Sequence, residues 1–194
     1  MERTEILEQK VRNLYLDKNA GRAEWADWLY ENHVFTVANY AVNLSKRLDV
    51  DPDLPRASAM LHDIADAVLG RFDDNHAEKS AEIARSFLIE SGYDEDEIGT
   101  IVDDALRYHS CREENLPKTI EGKILATADA LAHLKTDFYL YYFVNRGLDE
   151  RSFDEAKESV VRKINKDYHT KIQFDEIKHE TIDDYNALIK VFTA

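Results

Sequence analysis

The sequence predicts an all-α fold. Three observations carry that prediction. Glycine and proline are scarce, 6 and 3 in 194 residues, so the chain has the punctuation for a few long elements rather than many short strands. Apolar residues recur at spacings of three and four along most of the chain. No segment shows the sustained alternation of a half-buried strand.

The elements follow in order. Residues 2–17 are expected to be helical, with Ile6, Leu7, Val11, Leu14 and Tyr15 on one face. A second, long helix is expected over 23–48, with the stripe Leu29, His33, Val37, Tyr40, Ala41, Leu44 and Leu48, so His33 faces inward. "DPDLPRASAMLHDIADA" opens a third helix, with Asp53 as its cap and Leu54, Ser58, Leu61, His62 and Ala65 inside. "GRFDDN" interrupts the pattern. Asn75 then caps a fourth helix, with Glu78 at the capping-box spacing and Gly92 as a left-handed stop. The fifth helix begins near 94–96 and carries Ile98, Ile101, Val102, Ala105 and His109 inward. "SCREENLP" is a loop, and "KTIEGKILATADALAHL" the sixth helix. "FYLYYFV", "FDEAKESVVRKI" and "IDDYNALIKVF" supply the helices of the C-terminal third.

The whole is read as one domain over 1–194. Its motif-bearing core covers about 25–135, and helices from about 135 to 194 complete it. The opening "MERTEILEQKVRNL" is charged from its second residue, unlike a secretory leader, and no apolar run is long enough to span a bilayer. The single Cys111 excludes an internal disulfide framework and fits a reducing cytoplasm. A formal net charge of −14 repels phosphate backbones, so no nucleic-acid polymer and no membrane is expected as a partner. A homo-oligomer stays open.

The chemistry-bearing residues sit where helices should be buried. Asp63 follows His62 inside an apolar run, and Asp129 lies in "LATADALA". A buried carboxylate needs a counter-charge, and no Lys or Arg stands in "ATADALA" to supply one. A divalent metal held by imidazole and carboxylate is the expected answer, in the core of a helical bundle.

The order His33, His62–Asp63, Asp129 resembles the HD-domain superfamily of metal-dependent phosphohydrolases. The surrounding text agrees: "ENHVFTVANYAVNLSKRL", "ASAMLHDIADA", "NHAEKSAEIARSFL", "IVDDALRYHS" and "KILATADALAHL". The resemblance implies that His33, His62, Asp63 and Asp129 hold one divalent ion, with Asp63 also catalytic. Mn, Fe, Co, Ni, Zn and Mg are all admissible. Binuclear members place two further histidines between the pair and the last Asp, which makes His76 and His109 candidates for a second metal or a phosphate contact. His76 follows the pair by fewer residues than in those members, and "LRYHSC" lacks the paired histidines of the cyclic-dinucleotide subgroup. Asp66, four residues after His62, is a candidate to orient that imidazole. Arg22, Lys79, Arg107 and Lys123 are candidate contacts for substrate phosphate.

His133 is read as structural, His169 and His179 as surface residues, and Cys111 as an inert thiol. Trp25, Trp28, Tyr139, Tyr141 and Tyr142 are assigned to core or interface. The implied activity is hydrolysis of a nucleotide or other small phosphate ester by a metal-activated water. The alternatives are a di-iron oxygenase of the same superfamily and a metal-stabilised sensing or interaction domain without turnover.

Overall fold

The computed structural model describes residues 2–18, 21–70, 73–112, 115–147 and 152–193. Among these residues there are helices and loops and no strand. Helix α1 spans Arg3–Leu16. Helix α2 starts at Ala26–Trp28, widens through a π-helical stretch at Leu29–Val34, and continues as Phe35–Arg47. Helix α3 is Asp53–Leu61, followed by a 3₁₀ turn at Ile64–Ala67. Helix α4 is His76–Ser91. Helix α5 begins as Glu95–Ile98 and runs on as a π-helix, Gly99–Leu106. Helix α6 is Ile120–Leu134, α7 Phe138–Gly147 and α8 Phe153–Lys166, the last extended by a π turn at Asp167–Lys171. Helices α9, Asp175–Glu180, and α10, Ile182–Thr193, close the chain.

Helix α6 lies at the centre. Every residue from Ile124 to Leu134 is buried. Ala126, Ala128, Ala130 and Ala132 give it a narrow profile, so α2, α3 and the π stretch of α5 all pack against it. The π turn after α8 packs on α6 as well, which brings the C-terminal helices to the same centre. The expected helices of the C-terminal third are present, and the expected breaks at "GRFDDN" and "SCREENLP" fall partly outside the described residues.

Two caps differ from expectation. Asp53 is the first residue of α3, not its cap, and its carboxylate accepts hydrogen bonds from Arg3, Thr4 and Tyr93. A charged partner from another helix outcompetes a local backbone N–H. Asn75 occupies the N-cap position of α4 without a side-chain cap, because its amide donates to Asp73 instead. Gly92 is the left-handed stop expected of it, with φ 92°. The third helix is also shorter than the sequence suggested. It ends at Leu61, so the His62–Asp63 pair sits at a break, where backbone direction changes.

The entry to α6 yields a stability prediction. Asp104 accepts from the backbone N–H groups of Lys118 and Thr119 and from the Thr119 hydroxyl, fixing the turn before the helix. A Cβ on Gly122 would lie 2.7 Å from both the Asp104 carboxylate and the Pro117 ring. Gly122→Ala is therefore expected to destabilise the fold by about 1–3 kcal/mol, the usual cost of overpacking. Urea unfolding reads this as a lower midpoint at unchanged slope. An unaltered midpoint would show that the turn yields freely.

Candidate metal centre

Three helical elements aim four side chains at one buried point. The π stretch of α2 supplies His33, the end of α3 supplies His62, and α6 supplies Asp129 and His133; each is at most 4% exposed. His33, His62 and Asp129 each offer a ligand atom within 4.8 Å of the others. His33 Nε2 is 3.2 Å from His62 Nε2 and 3.2 Å from Asp129 Oδ1. Asp63 stands at the edge, half-buried, with its carboxylate 3.3 Å from His62 Nε2.

The proton inventory explains why such a cluster needs a cation. The Nδ1 of His62 lies 2.7 Å from the carbonyl of Ala59, which can only accept, so Nδ1 carries a proton and Nε2 points into the centre. Burial pushes the ring down, but Asp63 and Asp129 outweigh it and raise the imidazole to about 9, so a metal would take the place of the Nε2 proton. His133 follows the same logic: its Nδ1 donates to Asp167 at 2.8 Å. Its Nε2 then faces Asp129 Oδ1 at 3.1 Å. Burial pushes the His133 imidazole down to about 3, outweighing the two carboxylates beside it. Asp129 Oδ1 is buried without a hydrogen-bond partner, facing the Nε2 atoms of His33 and His133. An orphaned carboxylate oxygen among imidazole Nε2 atoms suits a divalent metal, which is the acceptor of lone pairs that the protein lacks there.

The other oxygen of Asp129 holds a surprise for the sequence argument. It accepts from the ammonium of Lys171, a fully enclosed lysine from the π turn after α8. A resident counter-charge does exist, but 42 residues away in sequence. Burial would lower the Lys171 ammonium, yet Asp129 and Asp167 outweigh it and raise it above its ordinary range. Asp129 is held well below the usual carboxylate range: burial pushes it up, and His133, Lys171 and His33 together prevail. Behind it, Asp167 is wholly buried and accepts from His133 Nδ1 and from the Tyr139 hydroxyl at 2.6 Å. None of Lys171, Asp167 and Tyr139 was singled out for this site. The signal was present: Val160, Ile164, Asp167 and Lys171 continue one helical stripe, which puts the two charges on the inner face.

The remaining candidates divide. The His109 ring meets the His62 ring edge-on at 5.6 Å, and its Nδ1 lies 2.6 Å from the Leu106 carbonyl, leaving Nε2 as an acceptor. Burial, with Lys171 and His62 adding to it, pushes His109 down to about 4. His76 is not in the three-residue group. Its Nε2 lies 3.4 Å from Asp66, whose carboxylate raises the imidazole. Asp66 accordingly faces His76 rather than His62, because the helix breaks between positions 62 and 66 and the i, i+4 register is lost. Arg22 is nearly buried. One guanidinium nitrogen pairs with Asp27 and the other, buried, has no partner. Lys79 is tied to Glu82, and Lys123 is half-buried near the start of α6. Arg107 lines a surface pocket of about 290 Å³ with Tyr108, Ser110, Arg112 and Asn115, in the segment that carries His109. Cys111 is buried in a left-handed conformation, φ 47°, and burial raises its thiol. Trp28 stacks on Tyr141 at 4.1 Å, and Tyr139 and Tyr142 are core residues.

Residues 30–134 match the family model of the HD domain. Among curated proteins, Ribonuclease Y of Acidothermus cellulolyticus is 32% identical over 100 residues, and Ribonuclease Y of Thermotoga petrophila 35% identical over 101. Each alignment covers 52% of this chain and only 18% of the relative. No solved structure matches. These relatives correct the expectation that no nucleic-acid polymer is a partner, since their name assigns them RNA. Net charge is an average: −14 describes the whole surface, whereas Arg107 and Arg112 line one pocket together. Among the described residues, no helix is long and apolar enough to cross a membrane.

Proposed function

The chain belongs to the HD-domain family, the metal-dependent phosphohydrolase superfamily, and from that premise we propose that it hydrolyses a phosphoester of a nucleotide unit, free or within an RNA strand. The single observation that carries this reading is the orphaned Oδ1 of Asp129 among the histidine nitrogens. His33, His62 and Asp129 would hold a divalent ion, with Asp63 completing the set from the edge. When bound, such an ion supplies a water acidified from about 15.7 toward 7 and a positive charge for the phosphoryl oxygens.

The chain's own residues do the rest. Asp63, half-exposed where the others are buried, is the carboxylate able to reach a water and a substrate at once. His109, held neutral, accepts or passes a proton through Nε2. Arg107 and Arg112, which line the surface pocket in the segment that carries His109, would present cations to an anionic substrate. His76 is a further contact for the phosphate or, with Asp66, for a second ion, and the unpartnered nitrogen of Arg22 is a further contact for the phosphate. The support from the relatives is for RNA as one form of the substrate, through an alignment covering a minor part of their length.

The test is a panel of phosphoesters, 5′-nucleotides and short RNA oligomers, assayed with Mn, Mg, Co, Ni, Zn and Fe after chelation. Expected is turnover that needs added metal and favours nucleotide units. Oxygen consumption with iron and no phosphate release would replace this reading by an oxygenase. Retained metal without turnover on any ester would replace it by a binding domain.

A further inference from the structure

Resting on that metal-site reading, we propose that Lys171 is a built-in stand-in for the metal: it keeps the centre assembled when empty and holds down the affinity with which the ion is bound. The geometry is specific. The ammonium is fully enclosed and paired with Oδ2 of Asp129, the oxygen turned away from His33 and His62. Its other acidic neighbour is Asp167, 3.9 Å away. Lys163 lies 3.3 Å from Asp167 and shares its charge. Lys171 thus has Asp129 as its one close carboxylate, and among the described residues Lys171 is the one lysine or arginine paired with Asp129.

Two consequences follow. Without a metal, Asp129 would otherwise have only imidazoles beside it and no permanent cation, and Lys171 supplies that cation. With a metal, the ion must share Asp129 with a fixed positive charge only one carboxylate away, which opposes binding electrostatically. The centre therefore tolerates being empty and exchanges its ion. The residue responsible comes from outside the stretch 30–134 that matches the family model, so the C-terminal helices set a property of the centre.

The experiment compares the full chain with Lys171→Met and Lys171→Arg by Mn(II) calorimetry and by melting with chelator or with saturating Mn(II). Lys171→Met is expected to bind Mn(II) at least about tenfold more tightly, through loss of the repulsion, and to melt lower when chelated. Its melting gap between chelated and loaded forms should widen. Lys171→Arg should keep the parent affinity within about threefold, since the charge stays. Should Lys171→Met be unfolded in chelator, refolding on Mn(II) addition supports the proposal in its extreme form. A chain that stays unfolded under saturating Mn(II), or an affinity unchanged or weakened in a folded Lys171→Met, overturns it. A parent chain that binds no Mn(II) at all removes the metal-site reading itself, and this inference with it; that failure is read from the parent alone.

Discussion

His62→Ala is expected to lose its metal and bring phosphoester hydrolysis to background. The imidazole occupies the middle of the centre. Its Nε2 lies 3.2 Å from His33 Nε2, 3.3 Å from Asp63 and 3.9 Å from Asp129 Oδ1. Its Nδ1 is anchored on the Ala59 carbonyl, so the ring is held in place with Nε2 already aimed at the centre. Loss of an outer partner of a ligand costs metal affinity roughly 10–100-fold, and loss of the ligand should exceed that. Asp63→Ala should fail in the same assay for a different reason, since it removes the carboxylate at the open edge. Metal content after dialysis, with rates at saturating Mn(II), separates the two: His62→Ala stays inactive because the ion is gone, whereas Asp63→Ala is the variant that excess metal can partly reload. Stoichiometric metal and full activity in purified His62→Ala would sink the assignment of this centre.

The fold was legible because helical periodicity is strong and turn residues are few. Its inner stripes placed His33, His62 and Asp129 on faces that turn out to be buried. Local competition was harder to read. Asp53 had the residue type and position of a cap, and only the tertiary approach of Arg3 and Thr4 drew it away. Asp66 had the spacing to reach His62, and only the end of α3 at Leu61 removed it. The counter-charge of Asp129 does not stand among its chain neighbours, the range over which a helix-face argument works. Lys171 arrives through packing between α6 and the turn after α8, which no single helix announces.

The same packing makes Asp167 the most consequential acid for stability. Asp167→Ala is expected to cost about 3–5 kcal/mol, the range for breaking a buried ionic network from one side. That is a large part of the 5–15 kcal/mol or so by which ordinary domains are stable. Asp167 is fully buried and gathers three donors on one oxygen: His133 Nδ1 at 2.8 Å, the Tyr139 hydroxyl at 2.6 Å and Lys163 at 3.3 Å. Burial pushes its carboxyl up, but Lys163, His133 and Lys171 outweigh this and hold it well below the usual range. Removing it strands a buried hydroxyl and a buried imidazole N–H, and takes away a negative charge from beside Lys171. Tyr139→Phe removes one donor and leaves Asp167 its other partners, so it should cost only about 1 kcal/mol. Asp167→Asn keeps an acceptor and should fall between them. Because the network is buried, the difference between Asp167→Ala and the parent should change little from low to high salt, unlike that of an exposed ion pair. Urea unfolding of the three variants at two salt concentrations gives the comparison. An Asp167→Ala chain within about 1 kcal/mol of Tyr139→Phe would mean that the carboxylate charge contributes no more than a neutral hydrogen bond, and the ionic network behind Asp129 would then have to be abandoned.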